Sequence, residues 1–292
     1  MGACLLSHQS SFITYRVLHS CKRRTDSAAR ASMKISIITV SYNSAATIQS
    51  AVASVLAQEG VELDYVVVDG ASTDGTVDLL RGYGSQIDQL VSEPDSGMYD
   101  AMNKGVARAR GEVVGILNSD DFYADTDVLA TVAAAFEDPG VDCVFGDLDY
   151  VDAVETARVV RAWRSQPYQA GAFGRGWHPA HPSFFVRRSV YGRFGGFAAD
   201  LPIAADYEFM LRVLERHRLK SVHLPKVLVK MRTGGASNAS LENIAKANLQ
   251  CWKAWRQNGL GWSPLPVLRK PFSKLKQLRR GTPSGSASSF TP

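Results

Sequence analysis

Between Lys34 and Phe145 short apolar runs alternate with helix-period stretches, and the runs end on acids. Lys34–Ser41 reads as a first strand. It is followed by a Tyr42-Asn43-Ser44 turn and a helix over 45–58, whose Ile48, Val52, Val55 and Leu56 fall at helical spacing. A second strand over 63–68 ends on Asp69, and Ser72-Thr73-Asp74-Gly75 opens a helix carrying Val77, Leu79 and Leu80. The third strand, Gln89–Ser92, runs through Glu93-Pro94-Asp95-Ser96-Gly97 into a helix over 98–110, expected to bury Met98, Met102, Val106 and Ala109. A fourth strand, 113–117, ends in Asn118-Ser119-Asp120-Asp121, and a helix over 128–136 and a strand over 141–145 close the series. This alternation predicts an α/β fold with a mainly parallel, doubly covered sheet and right-handed crossovers.

In such sheets ligands bind beyond the carboxyl ends of the strands. Asp69, Asp95 and the Asp120-Asp121 pair all fall there. Adjacent carboxylates repel, and a divalent cation such as Mg²⁺ or Mn²⁺ relieves the repulsion by bridging carboxylates to phosphates. Taken alone, Asn118 and Asp120 equally suit an Asx turn before a helix capped near Asp125 or Thr126. The chain contains no Gly-x-x-x-x-Gly-Lys-Ser/Thr loop and no Gly-x-Gly-x-x-Gly, which argues against a P-loop NTPase or a dinucleotide enzyme.

After Gly146 the alternation stops. A hairpin is expected over 147–160, turning at 153–155, then a rigid loop, Trp177-His178-Pro179-Ala180-His181-Pro182, and a strand over 183–187. A helix over 206–216 turns Tyr207, Met210, Leu211 and Leu214 inward and carries Asp206 at its N-terminus, where the helix dipole keeps a carboxylate ionised. Short strands flank Pro225 at 222–224 and 227–231, and Leu241–Gln257 forms a helix with Leu241, Ile244, Trp252 and Trp255 on one stripe. His178 and His181 have His-x-x-His spacing, but the chain offers no further cluster of zinc ligands.

Charge is distributed unevenly. Residues 1–32 carry five Arg or Lys and one acid, 245–292 carry nine and none, and the stretch between is acidic. An acidic core with basic ends is unlike a nucleic-acid binder, whose positive surface belongs to the folded domain. The residues from Trp262 to Arg280 mix Leu, Val, Phe and Trp with Arg and Lys, a pattern suited to an anionic membrane surface. No apolar run approaches the ~18–20 residues of a membrane span. Four scattered cysteines without a Cys-x-x-Cys pair fit a reducing compartment, hence a cytoplasmic protein, peripheral on the membrane's inner face. The expected organisation is an extension over 1–32 outside the fold, a domain over 33–240, a basic amphipathic helical region over 241–281 and a disordered tail over 282–292.

Taken together, Val40-Ser41-Tyr42-Asn43, the run from Val68 to Thr76, Asn118-Ser119-Asp120-Asp121 and the run from Glu93 to Gly105 resemble the family-2 glycosyltransferases of GT-A fold. Within that family, the run from Glu93 to Gly105 looks like the subgroup that builds bacterial exopolysaccharides and glycolipids. The family's Asp-x-Asp motif appears here as Ser-Asp-Asp. The resemblance implies transfer of a sugar, with inversion, from a nucleoside-diphosphate sugar to a hydroxyl of a lipid-linked or polysaccharide acceptor, assisted by Mn²⁺ or Mg²⁺. It implies that Asp69 accepts from the nucleobase and that Tyr42 and Asn43 line the base and ribose pocket. Asp95, Asn103 and Lys104 would then fall in the blocks facing the donor. Asp120 would face ribose or metal, and Asp121 would bind the metal. Asp206 would be the base, with His181 completing the metal site or touching the diphosphate. A sugar-phosphate nucleotidyltransferase would instead carry a Gly-rich basic loop after the first strand, and a non-catalytic module would lack the metal acid or the base.

Overall fold

The structure, a computed structural model, describes residues 32–234 and 241–261. In chain order its strands are β1 (Lys34–Ser41), β2 (Glu62–Asp69), β3 (Gln89–Ser92), β4 (Val113–Ile116), β5 (Asp121–Tyr123), β6 (Cys143–Val151), β7 (Val159–Trp163), β8 (Phe184–Arg187) and β9 (Ser221–Arg232). The α-helices are α1 (Ile48–Leu56), α2 (Thr76–Arg81), α3 (Met98–Arg108), α4 (Val128–Ala135), α5 (Arg188–Phe194), α6 (Ala205–Met210) and α7 (Leu241–Gln257).

The first four strands form the expected parallel half. β1 pairs in parallel with β2 on one side and β4 on the other, and β3 extends the sheet beyond β2. Both faces of β1 are buried, which is why it reads as a nearly continuous apolar run. Ile35 and Ile37 face a core built with Ile48, Val52 and Val55 of α1 and Val128, Leu129 and Val132 of α4. Ile38 and Val40 face a second core built with Met102 of α3 and Phe209 of α6. Each such side chain contributes roughly 1.5–3 kcal/mol when fully withdrawn from water.

Beyond β4 the sheet becomes mixed. β8 inserts antiparallel between β4 and β6, β9 runs parallel to β6, β5 closes the path antiparallel to β9, and β7 pairs with β6. Periodicity therefore located the strand at 141–145, which runs in the same sense as β4 because both are antiparallel to β8, but not its separation from β4 by a strand that arrives about forty residues later. The two short strands around Pro225 are one strand, β9, whose register against β6 shifts near Asp147; the irregularity accommodates a proline that cannot donate to the ladder. Asp121 closes the turn after β4, its N–H donating to the Asn118 carbonyl (3.1 Å), and begins β5, a strand too short to leave a periodic signal. The helix expected over 206–216 is α6 followed by a π-helical turn, Leu211–Arg216. Met98 is 43% exposed rather than buried, because α3 starts there and turns Tyr99 and Met102 inward instead. Among the described residues no helix is long and apolar enough to cross a membrane. The proposed extension, the basic stretch after Gly261 and the tail lie outside the described residues.

Gly111 sets the approach of the α3–β4 connection to β1. A Cβ there would lie 2.5 Å from Ser36 N and 2.8 Å from Lys34 O, backbone atoms that a sheet strand cannot move. Gly111→Ala should therefore destabilise the protein by about 1–3 kcal/mol, read as a lower urea midpoint with an unchanged slope.

Candidate active site

The carboxyl ends of β1, β2 and β3 are tied together by one carboxylate. Asp69, fully buried, accepts from Ser41 Oγ (3.0 Å), Ser72 N (2.9 Å), Ser72 Oγ and Ser92 Oγ (2.8 Å). Its oxygens are thus engaged within the protein, and its direct effect is to shape the loop after β2. Asn43 links that loop to the one after β1: its N–H donates to Ser72 Oγ (2.8 Å) and its Oδ1 accepts from Thr73 N (3.0 Å). Asn43 adopts a left-handed φ of 49°, a conformation asparagine tolerates better than most residues. Asp74 accepts from Ala45 N (2.9 Å) and from Thr76, which binds the starts of α1 and α2 together.

These loops leave an open notch. Tyr42 is 68% exposed, and a Cβ on Gly70 would lie 2.6 Å from Asp95 Oδ2 and 3.3 Å from the Tyr42 ring. The aromatic face, the bare glycine backbone and the carboxylate therefore surround one small space, and the other Asp95 oxygen accepts from Gly97 N (2.8 Å). Asn103 and Lys104 lie nearby on α3, but their polar atoms are engaged elsewhere. The Asn103 amide exchanges two hydrogen bonds with the Phe197 backbone (2.8 and 2.9 Å). Lys104 Nζ reaches Glu93 (3.1 Å), Asp100 (3.5 Å) and the Pro94 carbonyl (2.9 Å). Lys104 thus holds the loop that carries Asp95, and Asn103 holds the loop at Phe197, which lines the cavity at Asp206.

A second group of side chains gathers past the ends of β4 and β5. Asp121 is fully buried, its Oδ2 accepting from Asn118 Nδ2 (3.2 Å) while its Oδ1 and Asn118 Oδ1 have no partner. Burial, reinforced by the neighbouring Asp120 charge, pushes the Asp121 pKa up to about 8. The Asp120 carbonyl accepts from Arg232 (2.6 Å), and Ser119 bonds Ser44 (2.8 Å), so this loop is fastened to both β9 and the loop after β1.

From α6, Asp206 accepts from His181 Nδ1 (2.9 Å) on one oxygen and from the Tyr99 hydroxyl (2.9 Å) on the other. Burial opposes the Asp206 charge, but the His181 charge and hydrogen bond outweigh it and hold the carboxyl well below the usual range. For His181 burial likewise opposes protonation, yet Asp206, with smaller help from Asp121 and Asp120, raises its pKa above the ordinary imidazole value. His181 therefore keeps its proton above the ordinary range and Asp206 loses its own below it, so both are charged between about pH 4 and 6.5. The pair's contribution to stability fades as pH rises through the His181 midpoint or falls through that of Asp206. The floor beneath is apolar: Met102, Ile116, Phe184, Tyr191, Phe197 and Phe209 line a cavity of about 20 Å³, room for one water at most. Glu208, two residues on, points away and bonds Arg212 (3.1 Å) and Asn258 (2.9 Å).

Asp121 Oδ1, Asn118 Oδ1 and His181 Nε2 are all buried without a partner. Hard oxygens with one imidazole fit Mg²⁺ or Mn²⁺, and Mg²⁺ ordinarily takes only one or two carboxylates from protein and completes its shell with phosphate oxygens and water. Among the described residues no three His, Cys, Asp or Glu side chains converge to hold an ion unaided. Tyr99 and the His181–Asp206 contact were not readable as a unit from sequence. The available signal for Tyr99 was its position one turn before Met102 on the inner face of α3.

Residues 36–194 match the sequence profile described as glycosyl transferase family 2. The chain is 35% identical over 181 residues to an uncharacterized glycosyltransferase of Mycobacterium tuberculosis, covering 61% of this chain and 68% of that protein. It is 29% identical over 220 residues to a Mycobacterium bovis protein named PGL/p-HBAD biosynthesis glycosyltransferase, covering 71% and 80%. Among solved structures, Staphylococcus aureus TarS in complex with UDP superposes with a TM-score of 0.59 at 20% identity, over 82% of this chain and 72% of that one. Mannosyltransferase PcManGT from Pyrobaculum calidifontis, in complex with GDP-Man and Mn²⁺, gives 0.58 at 20% identity over 86% and 71%. At that identity the likeness speaks for a shared GT-A fold.

The ion pair can be tested directly. In an NMR titration the His181 imidazole should titrate above its ordinary value in the wild type. In Asp206→Asn, where burial acts without the opposing carboxylate, it should fall below it.

Proposed function

The chain belongs to glycosyl transferase family 2 and is a glycosyltransferase, and we propose that it moves a sugar, with inversion, from a nucleoside-diphosphate sugar to an acceptor hydroxyl. The observation that carries this reading is the meeting of Asp206, His181 and Asp121 in one electrostatically coupled group.

On this reading the notch at Tyr42, Gly70 and Asp95 receives the nucleobase, the ring stacking on Tyr42. Asp69 and Asn43 act one step removed, by fixing the backbone of that notch, and Asn103 and Lys104 do the same for the loops at 93–97 and 194–198. Asp121, with Asp120 and His181 beside it, holds the cation. When bound, Mn²⁺ or Mg²⁺ neutralises the charge growing on the departing diphosphate. Asp206 takes the proton of the attacking hydroxyl from the side opposite that leaving group. Its low pKa keeps it ionised and favours a late transfer, after bonding to the anomeric carbon has made the hydroxyl acidic. Tyr99 and His181 fix both Asp206 oxygens, which orients the remaining lone pairs toward the acceptor. The acceptor class proposed is a lipid-linked or polysaccharide hydroxyl, with the basic stretch after residue 262 resting on an anionic membrane surface.

Hydrolysis and transfer should be assayed across UDP-, GDP- and dTDP-sugars with Mn²⁺ and with EDTA. Wild type should turn over one donor class only with the metal. Asp121→Asn should reduce turnover by at least about 10²-fold and Asp206→Asn by a similar factor while nucleotide binding persists in the latter. Wild-type rates in either variant would remove that residue from the mechanism. Truncation after residue 261 should abolish binding to vesicles containing phosphatidylserine, and unchanged binding would dispose of the anchor.

A further inference from the structure

Three arginines follow one another along the β6–β7 hairpin and its exit. Arg158 pairs with Asp152, and Arg164 with Asp149 (2.6 Å) and Asp147 (3.7 Å). Arg161, between them, has no carboxylate partner among the described residues, and its Nε is buried without a hydrogen-bond partner. Aromatic rings and the Tyr150 hydroxyl hold it instead. Its guanidinium lies 3.9 Å from the Tyr150 ring centre and 5.8 Å from that of Trp163, and the two rings are stacked within 11° of parallel. A guanidinium fixed in this way loses little further freedom on meeting a ligand.

Register shows where this cation sits. Asp121 pairs with Met231, Met231 with Tyr150, and Tyr150 with Arg161, so the four share one row and one face of the sheet. With strands ~4.8 Å apart, Tyr150 and the guanidinium stacked on it are displaced by about 10 Å from Asp121 along that row. The same wall reaches Asp206 by a second route, from Trp163 through His178 (5.2 Å) to Tyr207 (5.5 Å), the residue after Asp206. The Tyr150 hydroxyl accordingly feels the charges of both Asp121 and Asp206.

We propose that Arg161, clamped over Tyr150 and Trp163, forms a phosphate-binding subsite for the acceptor, so that the enzyme takes an acceptor bearing a phosphate group near its reacting hydroxyl. The inference rests on the transfer reading above. The displacement from Asp121 is several times a metal–oxygen bond of ~2.1 Å, which separates this cation from the phosphates a metal at Asp121 would hold. The bidentate fork and the half-buried aromatic setting suit an oxyanion better than a neutral sugar hydroxyl. The phosphate can come from two sources, the acceptor or the donor's own diphosphate, and the experiment separates them.

Calorimetric titration of the full chain is done first with UDP-, GDP- and dTDP-sugars in Mn²⁺. It is then done with hexyl phosphate, and with hexyl glucoside as neutral control, on protein saturated with the nucleoside diphosphate that binds. Wild type should prefer hexyl phosphate to hexyl glucoside by about ten-fold or more. R161Q should lose that preference, R161K should keep part of it, and both should bind the nucleoside diphosphate as wild type does. R161K, which keeps the charge and stem, carries the test if R161Q melts early. Equal binding of the two hexyl probes by wild type overturns the subsite. So does a ten-fold loss of nucleoside-diphosphate affinity in R161Q, which assigns the guanidinium to the donor. Failure of wild type to bind any nucleotide sugar is a separate result: it removes the transfer reading, and the subsite with it.

Discussion

The ion pair between Asp206 and His181, closed beneath by apolar side chains and held from α3 by Tyr99, is the contact on which the site depends. It joins two segments far apart in the chain, the His181–Ser183 turn and the start of α6, at the inner edge of the sheet. Low surrounding polarity makes such a pair strong when both members are present and costly when one is lost. The same imidazole also faces the charges of Asp121 and Asp120, so one proton on His181 balances carboxylates from two elements. Remove that proton and three acids crowd one pocket; supply a divalent cation and the crowding is relieved.

The scaffold divides this work between its two halves. In the parallel half, buried β-branched strands fix the level at which their loops emerge, and Asp69, Asn43 and Asp74 convert those loops into a rigid rim through side-chain to backbone bonds. In the mixed half, β5 brings Asp121 alongside β9, and β6 and β7 extend the row to Tyr150 and Arg161. Helix α7 braces the arrangement from behind, where Trp255 donates from Nε1 to the Tyr207 hydroxyl (2.9 Å). The parallel half thus stands on regular crossovers, while the mixed half is built from short, irregular elements.

That division also explains what the sequence disclosed. The first four strands, their helices and the acids at their ends were legible because local periodicity and strand-end chemistry determine them. Several features of the second half were not, because they depend on distant partners. β5 exists only through β9, β6 is separated from β4 by β8, and no proline or glycine marks the break after Met210. Residue types pointed to Asp121 and the family resemblance to Asp206 and His181, but neither pointed to the contact between the last two. Asp69, Asn103 and Lys104, which the family resemblance assigned to the donor, make hydrogen bonds that turn inward to support loops. Arg161 carried no signal at all, since an arginine without a carboxylate partner among the described residues is recognised only once its neighbours are known.

On the proposed reading the acid of β5 and the His181–Asp206 pair serve one metal-bound nucleoside diphosphate. Paramagnetic broadening of the His181 imidazole resonances, on adding Mn²⁺ with a nucleoside diphosphate, measures that proximity directly. The account predicts strong broadening in the wild type and its loss in Asp121→Asn. Sharp His181 signals in the wild type, with Mn²⁺ and nucleotide demonstrably bound, would contradict it.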